Sequence, residues 1–131
     1  MALNVLVVDD SATMRRMVKR ALGLSGLHID KILEAENGQT ALDCLRAHPV
    51  DLALLDLNMP VMGGMEALEN IRRADATAEL PVVVVSTEGS TPRIDRVREL
   101  AAGFVRKPFT PESLLDAIVV ALGGRGRHGT Q

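Results

Sequence analysis

The chain has 131 residues, of which 47% are hydrophobic, and it carries 15 basic and 17 acidic side chains for a net charge of −2. This length fits one domain with a full hydrophobic core. The balanced charge argues against a nucleic-acid-binding surface, and no apolar run is long enough to span a bilayer. The N-terminal apolar run lacks the preceding basic region of a secretory signal. Cys44 is the only cysteine, so no internal disulfide is possible and we expect a cytoplasmic protein.

Five short apolar segments predict the strands of a sheet. Continuous rather than alternating apolar residues are typical of strands that are covered on both faces, as in parallel sheets. The second and fifth segments are the weaker ones. The predicted strands are Val5–Val8, Ile29–Leu33, Leu52–Leu55, Val82–Val85 and Phe104–Val105.

Residues with helical spacing separate these segments and predict five helices. Thr91-Pro92 and Thr110-Pro111 each place a capping hydroxyl before a proline, as is typical of helix starts. The spaced residues are Met14, Met17, Val18, Ala21 and Leu22; Ala41, Leu42 and Leu45; Met65, Leu68 and Ile71; Ile94, Val97 and Ala101; and Leu115, Ile118, Val119 and Leu122.

The strict alternation of strand and helix predicts an α/β fold with a doubly wound parallel sheet and helices on both of its faces. From Gly123 to Gln131 the sequence is rich in glycine and arginine and has no periodicity. We therefore predict one domain over residues 1–122 and a disordered tail over residues 123–131.

Polar side chains follow four of the five predicted strands. Ligands of open α/β sheets bind beyond the carboxyl ends of the strands, at the point where the strand order reverses, so these side chains should share one edge of the sheet. The candidates are Asp9 and Asp10 after the first strand, Asp56 after the third, Ser86 and Thr87 after the fourth, and Lys107 after the fifth.

This set of side chains points to metal-assisted phosphoryl chemistry. Three converging carboxylates raise one another's pKa values unless a cation lies between them, and oxygen ligands in a partly open site suit Mg²⁺. A hydroxyl and an ammonium group are what a phosphoryl group needs as charge spreads over its oxygens. Asp56 is then the candidate nucleophile, because carboxylates can form aspartyl-phosphates.

Each of these residues, taken singly, also has a purely structural explanation. Asp10 or Ser11 can cap the first helix, Asp56 and Asn58 can begin a turn, and Lys107 can be a solvated charge. The conjunction of three acids, a hydroxyl and a lysine at one rim favours the functional interpretation.

Four segments together resemble the response-regulator receiver domain: VLVVDDSATMRRMV, DLALLDLNMPVMGG, PVVVVSTEG and GFVRKPFTPESLL. The chain is most similar to the CheY-like, single-domain chemotaxis type, over about residues 3 to 122. The resemblance implies a flavodoxin-like fold with five helices and a five-stranded parallel sheet in the order 2-1-3-4-5.

The resemblance implies a role for each matching position in the metal site. Asp56 would accept the phosphoryl group. Asp10, Asp56 and the backbone carbonyl of Asn58 would hold Mg²⁺, and Asp9 would contact the ion partly through water. Asn58 would also tune the rate of dephosphorylation, together with Glu88.

The resemblance also implies how the phosphoryl group is bound and sensed. Ser86 and Lys107 would bind its oxygens, and the Lys107-Pro108 peptide bond would be cis. Ser86 and Phe104 would form the coupled switch, for which plain core packing of Phe104 is the alternative. Phe104 stands where chemotaxis members often have tyrosine, and Leu100 stands where many have a turn glycine. Gly63 replaces a commonly acidic or polar residue.

The implied function is that of a two-component response regulator, a phosphoacceptor signalling domain and not an enzyme with a separate substrate. It would take its phosphoryl group from a sensor histidine kinase or a small donor and dephosphorylate itself. It would act on a protein such as a flagellar motor switch component. We expect a monomer without nucleic-acid or membrane partners.

Several alternatives remain open from the sequence. The domain could be a phosphate sink or a phosphorelay shuttle, an aspartate-nucleophile phosphatase of the haloacid-dehalogenase type, or a flavin or nucleotide binder. The phosphatase is disfavoured because such enzymes carry a D-x-D motif after the first strand. Here Asp9-Asp10 follow the first strand, and the candidate nucleophile Asp56 follows the third. Four arginines near the expected output face hint at an acidic partner, although a solvated helix face explains them equally well: Arg93, Arg96, Arg98 and Arg106.

Overall fold

The computed structural model describes the backbone of residues 2–87 and 91–130 and the side chains of residues 2–87 and 93–123. Strands and helices alternate along the chain, as the sequence predicts. Their bounds are β1 Leu3–Val8, α1 Ala12–Gly23, β2 Ile29–Ala35, α2 Gly38–Ala47, β3 Leu52–Leu55, α3 Gly64–Arg73, β4 Val82–Ser86, α4 Thr91–Leu100, β5 Gly103–Arg106 and α5 Pro111–Thr130.

The strands form one parallel sheet in the order β2-β1-β3-β4-β5, which confirms the fold class. The chain moves outward from β1 to β2 and then returns to β3 on the other side of β1. The strand order therefore reverses between β1 and β3. Asp9 and Asp10 follow one of these strands and Asp56 follows the other, so the topology brings the three acids to the switch point.

Two hydrophobic cores cover the two faces of the sheet. Helices α1 and α5 pack on one face, where Val83 and Val85 of β4 are buried. Helices α2, α3 and α4 pack on the other, against Val82 and Val84. Because side chains alternate along a strand, Ser86 belongs to the face of Val84.

The predicted strands are in place, but the buried face of helix α5 differs from the prediction. Leu114, Ile118 and Ala121 are buried, whereas Val119 is 53% exposed. Leu115 is only half-buried. From Leu114 to Leu122 every residue except Asp116 is apolar, so the sequence does not distinguish one helical face from the next.

Short polar side chains cap the starts of helices α1, α2 and α5, whereas α3 begins at a glycine. The Ser11 hydroxyl accepts from the Met14 amide at 3.1 Å, so Ser11 has the capping role. The Thr110 hydroxyl accepts from the Ser113 amide and the Ser113 hydroxyl accepts from the Thr110 amide, both at 3.0 Å, as the predicted cap at Thr110 requires. The capping side chain predicted at Thr91 lies outside the described side chains.

The backbone of helix α5 continues to Thr130, through the segment for which the sequence predicts disorder. The domain end at residue 122 and the disordered tail stay predictions. Within the described part of the chain, no helix combines the length and the apolar character that crossing a bilayer requires.

Candidate functional site: an acidic cluster at the switch point

Three carboxylates converge where β1 and β3 end. Asp9, Asp10 and Asp56 each offer one oxygen, and these oxygens lie within 4.8 Å of one another. Asp9 is 4% exposed and Asp56 is 5% exposed. Asp10 is exposed. The cluster therefore has a buried floor and an open side toward solvent.

Lys107 lies against this cluster from the turn after β5. Its Nζ donates to Oδ2 of Asp9 at 2.8 Å and lies 3.6 Å from Oδ1 of Asp56. The backbone amide of Lys107 donates to the carbonyl of Ser86 at 3.0 Å, which fixes the start of the turn. The Lys107-Pro108 peptide bond is cis, which confirms the expectation from the resemblance.

The pKa of Asp56 is raised above its usual value of 3.8, mainly because the carboxyl group is buried. The Lys107 ammonium opposes the shift, and the charge of Asp9 adds to it. Hydrogen bonds from the Asn58 amide and from the Ser86 side chain also favour the ionised form. The sequence predicted repulsion between carboxylates as the cause, but burial contributes more.

Both side-chain oxygens of Asp9 already accept hydrogen bonds. The Ser11 amide donates to Oδ1 at 2.9 Å, and Lys107 donates to Oδ2. This arrangement leaves Asp9 fewer free lone pairs than Asp10, in line with a contact to an ion through water. Arg15, for which no sequence pattern indicated a role, donates from Nη1 to the Asp9 carbonyl at 2.6 Å.

The loop after Asp56 depends on Gly64, a second residue that the sequence analysis missed. A Cβ atom at Gly64 would collide with the carbonyl oxygen of Asp56 and would lie 2.7 Å from Cα of Leu57. The Gly64 amide donates to the Leu57 carbonyl at 2.9 Å. The Gly63-Gly64 pair was a signal for such a close approach, since glycine allows a backbone to pass where a side chain would collide.

The two predicted switch residues lie on neighbouring strands. Ser86 is completely buried. Phe104 is half-buried, is paired in register with Val84, and packs against the core under α3 and α4. Ser86 and Phe104 therefore share a face of the sheet. Asn58 is exposed, and Glu88 lies outside the described residues.

Among the output-face arginines, Arg96 is engaged within the molecule. It contacts Glu99 at 2.8 Å on its own helix and Glu69 of α3 at 3.3 Å. Its charge is thus neutralised locally, which favours the solvated-face interpretation over an acidic partner at this position.

The donors of the cluster suit a hard divalent cation. Carboxylate oxygens close together, with one carboxylate facing solvent, match the preference of Mg²⁺ for oxygen ligands and retained water. No soft ligand takes part in this group of described side chains.

Comparisons with known proteins agree with this geometry. The family model described as "Response regulator receiver domain" matches residues 5–119. The chain is 38% identical to chemotaxis protein CheY1 of Helicobacter pylori over 125 residues, covering 92% of this chain and 98% of that protein. It is also 38% identical to chemotaxis protein CheY of Bacillus subtilis over 119 residues, covering 90% and 96%.

Solved structures are similar to this chain as well. The chemotaxis response regulator CheY4 of Vibrio cholerae superposes with a TM-score of 0.81 at 31% identity, covering 92% of this chain and 99% of that one. A CheY-like receiver domain from Methanospirillum hungatei, at 22% identity and a TM-score of 0.82, shares the fold.

Proposed function

The chain belongs to the response regulator receiver domain family of two-component signalling proteins, and from this premise we propose that Asp56 is its phosphoacceptor, in a Mg²⁺-dependent reaction. The single observation that carries the proposal is the convergence of Asp9, Asp10 and Asp56 with Lys107 beside them. Crowding three acids from two neighbouring strands into so small a space costs stability unless a cation lies between them.

The proposed reaction is in-line transfer from a phosphohistidine on a sensor histidine kinase. An oxygen of Asp56 forms the new O–P bond while the P–N bond of the donor breaks, and the leaving imidazole keeps the electron pair. Bound Mg²⁺, held by Asp10, Asp56 and the Asn58 carbonyl, would neutralise charge on the carboxylates and the phosphoryl oxygens. Asp9 would contact the ion partly through water.

Lys107 and Ser86 supply the remaining stabilisation. The Lys107 ammonium lies within 3.6 Å of Asp56, where it can pair with a phosphoryl oxygen. The Ser86 hydroxyl contributes a hydrogen bond to the Asp56 carboxylate and can donate to the phosphoryl group instead. Moving Ser86 in this way opens space on the sheet face that it shares with Phe104, so Phe104 follows and the surface of α4, β5 and α5 changes.

The output is a change in protein contacts, in chemotaxis by analogy with the named relatives. The downstream partner is then a protein such as a flagellar motor switch component, and the domain acts as a cytoplasmic monomer. Phe104 carries no phenolic hydroxyl, so its contribution to that contact is through shape alone.

The aspartyl-phosphate should be short-lived. Asn58 is exposed beside the site, and Glu88 lies two residues after Ser86 in the sequence. Polar side chains at these positions favour attack by water, which returns Asp56 and inorganic phosphate. Decay of the labelled protein should take seconds to minutes, and a half-life of many hours would contradict this assignment.

Incubation with phosphoramidate and Mg²⁺, followed by intact-mass spectrometry, tests the function. The wild-type chain should gain one phosphoryl group, and Asp56→Asn should gain none. Asp75→Asn removes an exposed carboxylate that precedes β4, at the opposite edge of the sheet from the cluster, and should react like wild type. Equal labelling of wild type and Asp56→Asn would overturn the proposal.

A further inference from the structure

Val61, in the loop between β3 and α3, has a backbone conformation that does not suit its side chain. Its φ angle is +67°, and it is the one non-glycine residue with positive φ among those that the structure describes. A branched Cβ collides with the backbone in this left-handed region, which glycine and asparagine tolerate far better. Valine at this position is therefore strained.

Packing within the molecule does not compensate for the strain. The Val61 side chain is 84% exposed, so almost none of its apolar surface is removed from water. The neighbouring Pro60 is also exposed. An asparagine or glycine would relieve the backbone and expose less apolar surface, so the isolated domain gives no physical reason for a valine.

The conformation of Val61 is imposed by anchors on both sides. On one side, the Gly38 amide donates to the Met62 carbonyl at 2.9 Å, and a Cβ atom at Gly38 would approach that oxygen to 2.8 Å. On the other, the Gly64 amide is bonded to Leu57. Because hydrogen bonds hold both ends of the turn, they oppose relaxation of the loop to a conformation that valine prefers.

The position of this loop connects it with the phosphoacceptor. Val61 follows Asp56 by five residues and Asn58 by three, in one short connection. The cluster opens to solvent on the side of the exposed residues Asp10 and Asn58. A macromolecule that delivers a phosphoryl group to Asp56 must cover this opening, whereas a small donor need not touch its rim.

We propose that the Val61 side chain is an apolar contact for the protein phosphodonor, which buries it against the surface around the phosphohistidine. The inference rests on the proposed function and adds a specificity residue to it. An apolar side chain contributes most to the free energy of binding where the partner excludes water from it. Burial of Val61 in the transfer complex would therefore explain why a strained, exposed position carries a valine.

Three substitutions separate the contact from the strain. Val61→Asn removes the apolar surface and suits the left-handed backbone, Val61→Thr keeps the branched Cβ and loses one methyl group, and Val61→Ile keeps both features. Each is tested with two donors: phosphoramidate, and a ³²P-labelled, autophosphorylated histidine kinase that phosphorylates the wild-type chain.

With the kinase, Val61→Asn should slow transfer by about tenfold, which corresponds to the loss of one buried valine side chain. Val61→Thr should also slow it, and Val61→Ile should match wild type. With phosphoramidate, all four proteins should react at the same rate. Val61→Asn should also raise the melting temperature by a few degrees, because it relieves the strain.

Four results would overturn the inference. They are kinase transfer to Val61→Asn at the wild-type rate, equal slowing with both donors, normal transfer to Val61→Thr, and a melting temperature of Val61→Asn below that of wild type. Failure of the proposed function itself looks different, because the wild-type chain would then take no phosphoryl group from phosphoramidate.

Discussion

At the scale of single residues, Asp56 combines deep burial with a raised pKa. In the metal-free protein, the Asp56 carboxyl group therefore stays protonated to a higher pH in the folded state than in the unfolded state. Between the unfolded pKa near 3.8 and the raised folded pKa, the folded state binds more protons, so stability falls as pH rises. Above that window the full penalty of the buried carboxylate is present.

Replacing Asp56 by asparagine should therefore stabilise the metal-free protein at neutral pH. The gain should shrink toward zero as pH falls below the unfolded pKa, where both forms carry a neutral side chain. Urea unfolding of wild type and Asp56→Asn in EDTA across this range measures the difference. If the difference in free energy of unfolding does not change with pH, the stabilisation comes from packing and not from the charge of Asp56.

Gly64 is the residue on which the backbone geometry of the site depends. Gly64→Ala should destabilise the protein by about 3 kcal/mol and slow phosphorylation, because the added Cβ collides with the Asp56 backbone. Gly63→Ala is the matched control, since its Cβ would lie 3.4 Å from the Leu57 carbonyl and its φ of −71° suits alanine. Chemical denaturation distinguishes the two, and equal stability of both variants would refute the packing argument.

Which residues form the cluster was predictable, whereas their contacts were not. Asp9, Asp10, Asp56 and Lys107 each follow a strand, and parallel topology brings such residues to one edge. The 2.8 Å bond between Lys107 and Asp9, by contrast, joins residues 98 positions apart, and no sequence pattern encodes it. Strain at a single residue such as Val61 likewise emerges only from the fixed ends of its loop.

At the scale of secondary-structure elements, Arg72 of α3 ties its helix to the end of α4. Its Nε donates to the Leu100 carbonyl at 2.6 Å, and its Nη1 donates to the carbonyls of Thr77 and Ala78 at 3.2 Å. Helix α4 thus ends at Leu100 with an arginine satisfying its last carbonyl.

Arg72→Met should destabilise the protein by about 2–3 kcal/mol. The change leaves three backbone carbonyls without their charged donor, while methionine keeps the apolar stem. Arg73→Met is the control on the same helix, because Arg73 is exposed and bonds the Asn70 side chain. Thermal melts of both variants measure the effect, and equal losses would show that Arg72 is no more than a surface charge.

The sequence located the elements well and their orientation less well. Strands β3 and β4 are isolated apolar runs, so they were predicted nearly residue by residue. In helix α5, apolar residues occupy most positions from Leu114 to Leu122, and several faces compete. Only packing against β5 and α1 selects the face of Leu114, Ile118 and Ala121.

At the scale of the whole molecule, the strand order came from the family resemblance, since apolar runs show that strands exist without showing which ones are neighbours. The strand order determines which residues come together in the candidate site. It places β1 beside β3 and so turns two acidic segments, distant in the chain, into one cluster. Metal binding and global stability should therefore be linked.

Millimolar Mg²⁺ should raise the melting temperature of the wild-type protein, because the ion binds the folded cluster and not the unfolded chain. Asp10→Ala should melt higher than wild type in EDTA, since one crowded charge is gone, and should lose the response to Mg²⁺. Differential scanning fluorimetry with and without Mg²⁺ gives both values. An unchanged Mg²⁺ response in Asp10→Ala would exclude this residue from the metal site.

The most direct test of the central claim is to locate the acyl phosphate chemically. After reaction with phosphoramidate, borohydride reduces an aspartyl-phosphate to homoserine, and peptide mass spectrometry identifies the converted residue. We predict conversion at Asp56 alone, dependent on Mg²⁺ and absent without the donor. Conversion at another aspartate, or at Asp56 equally well in EDTA, would contradict a phosphoacceptor that works through a metal held by Asp10 and Asp56.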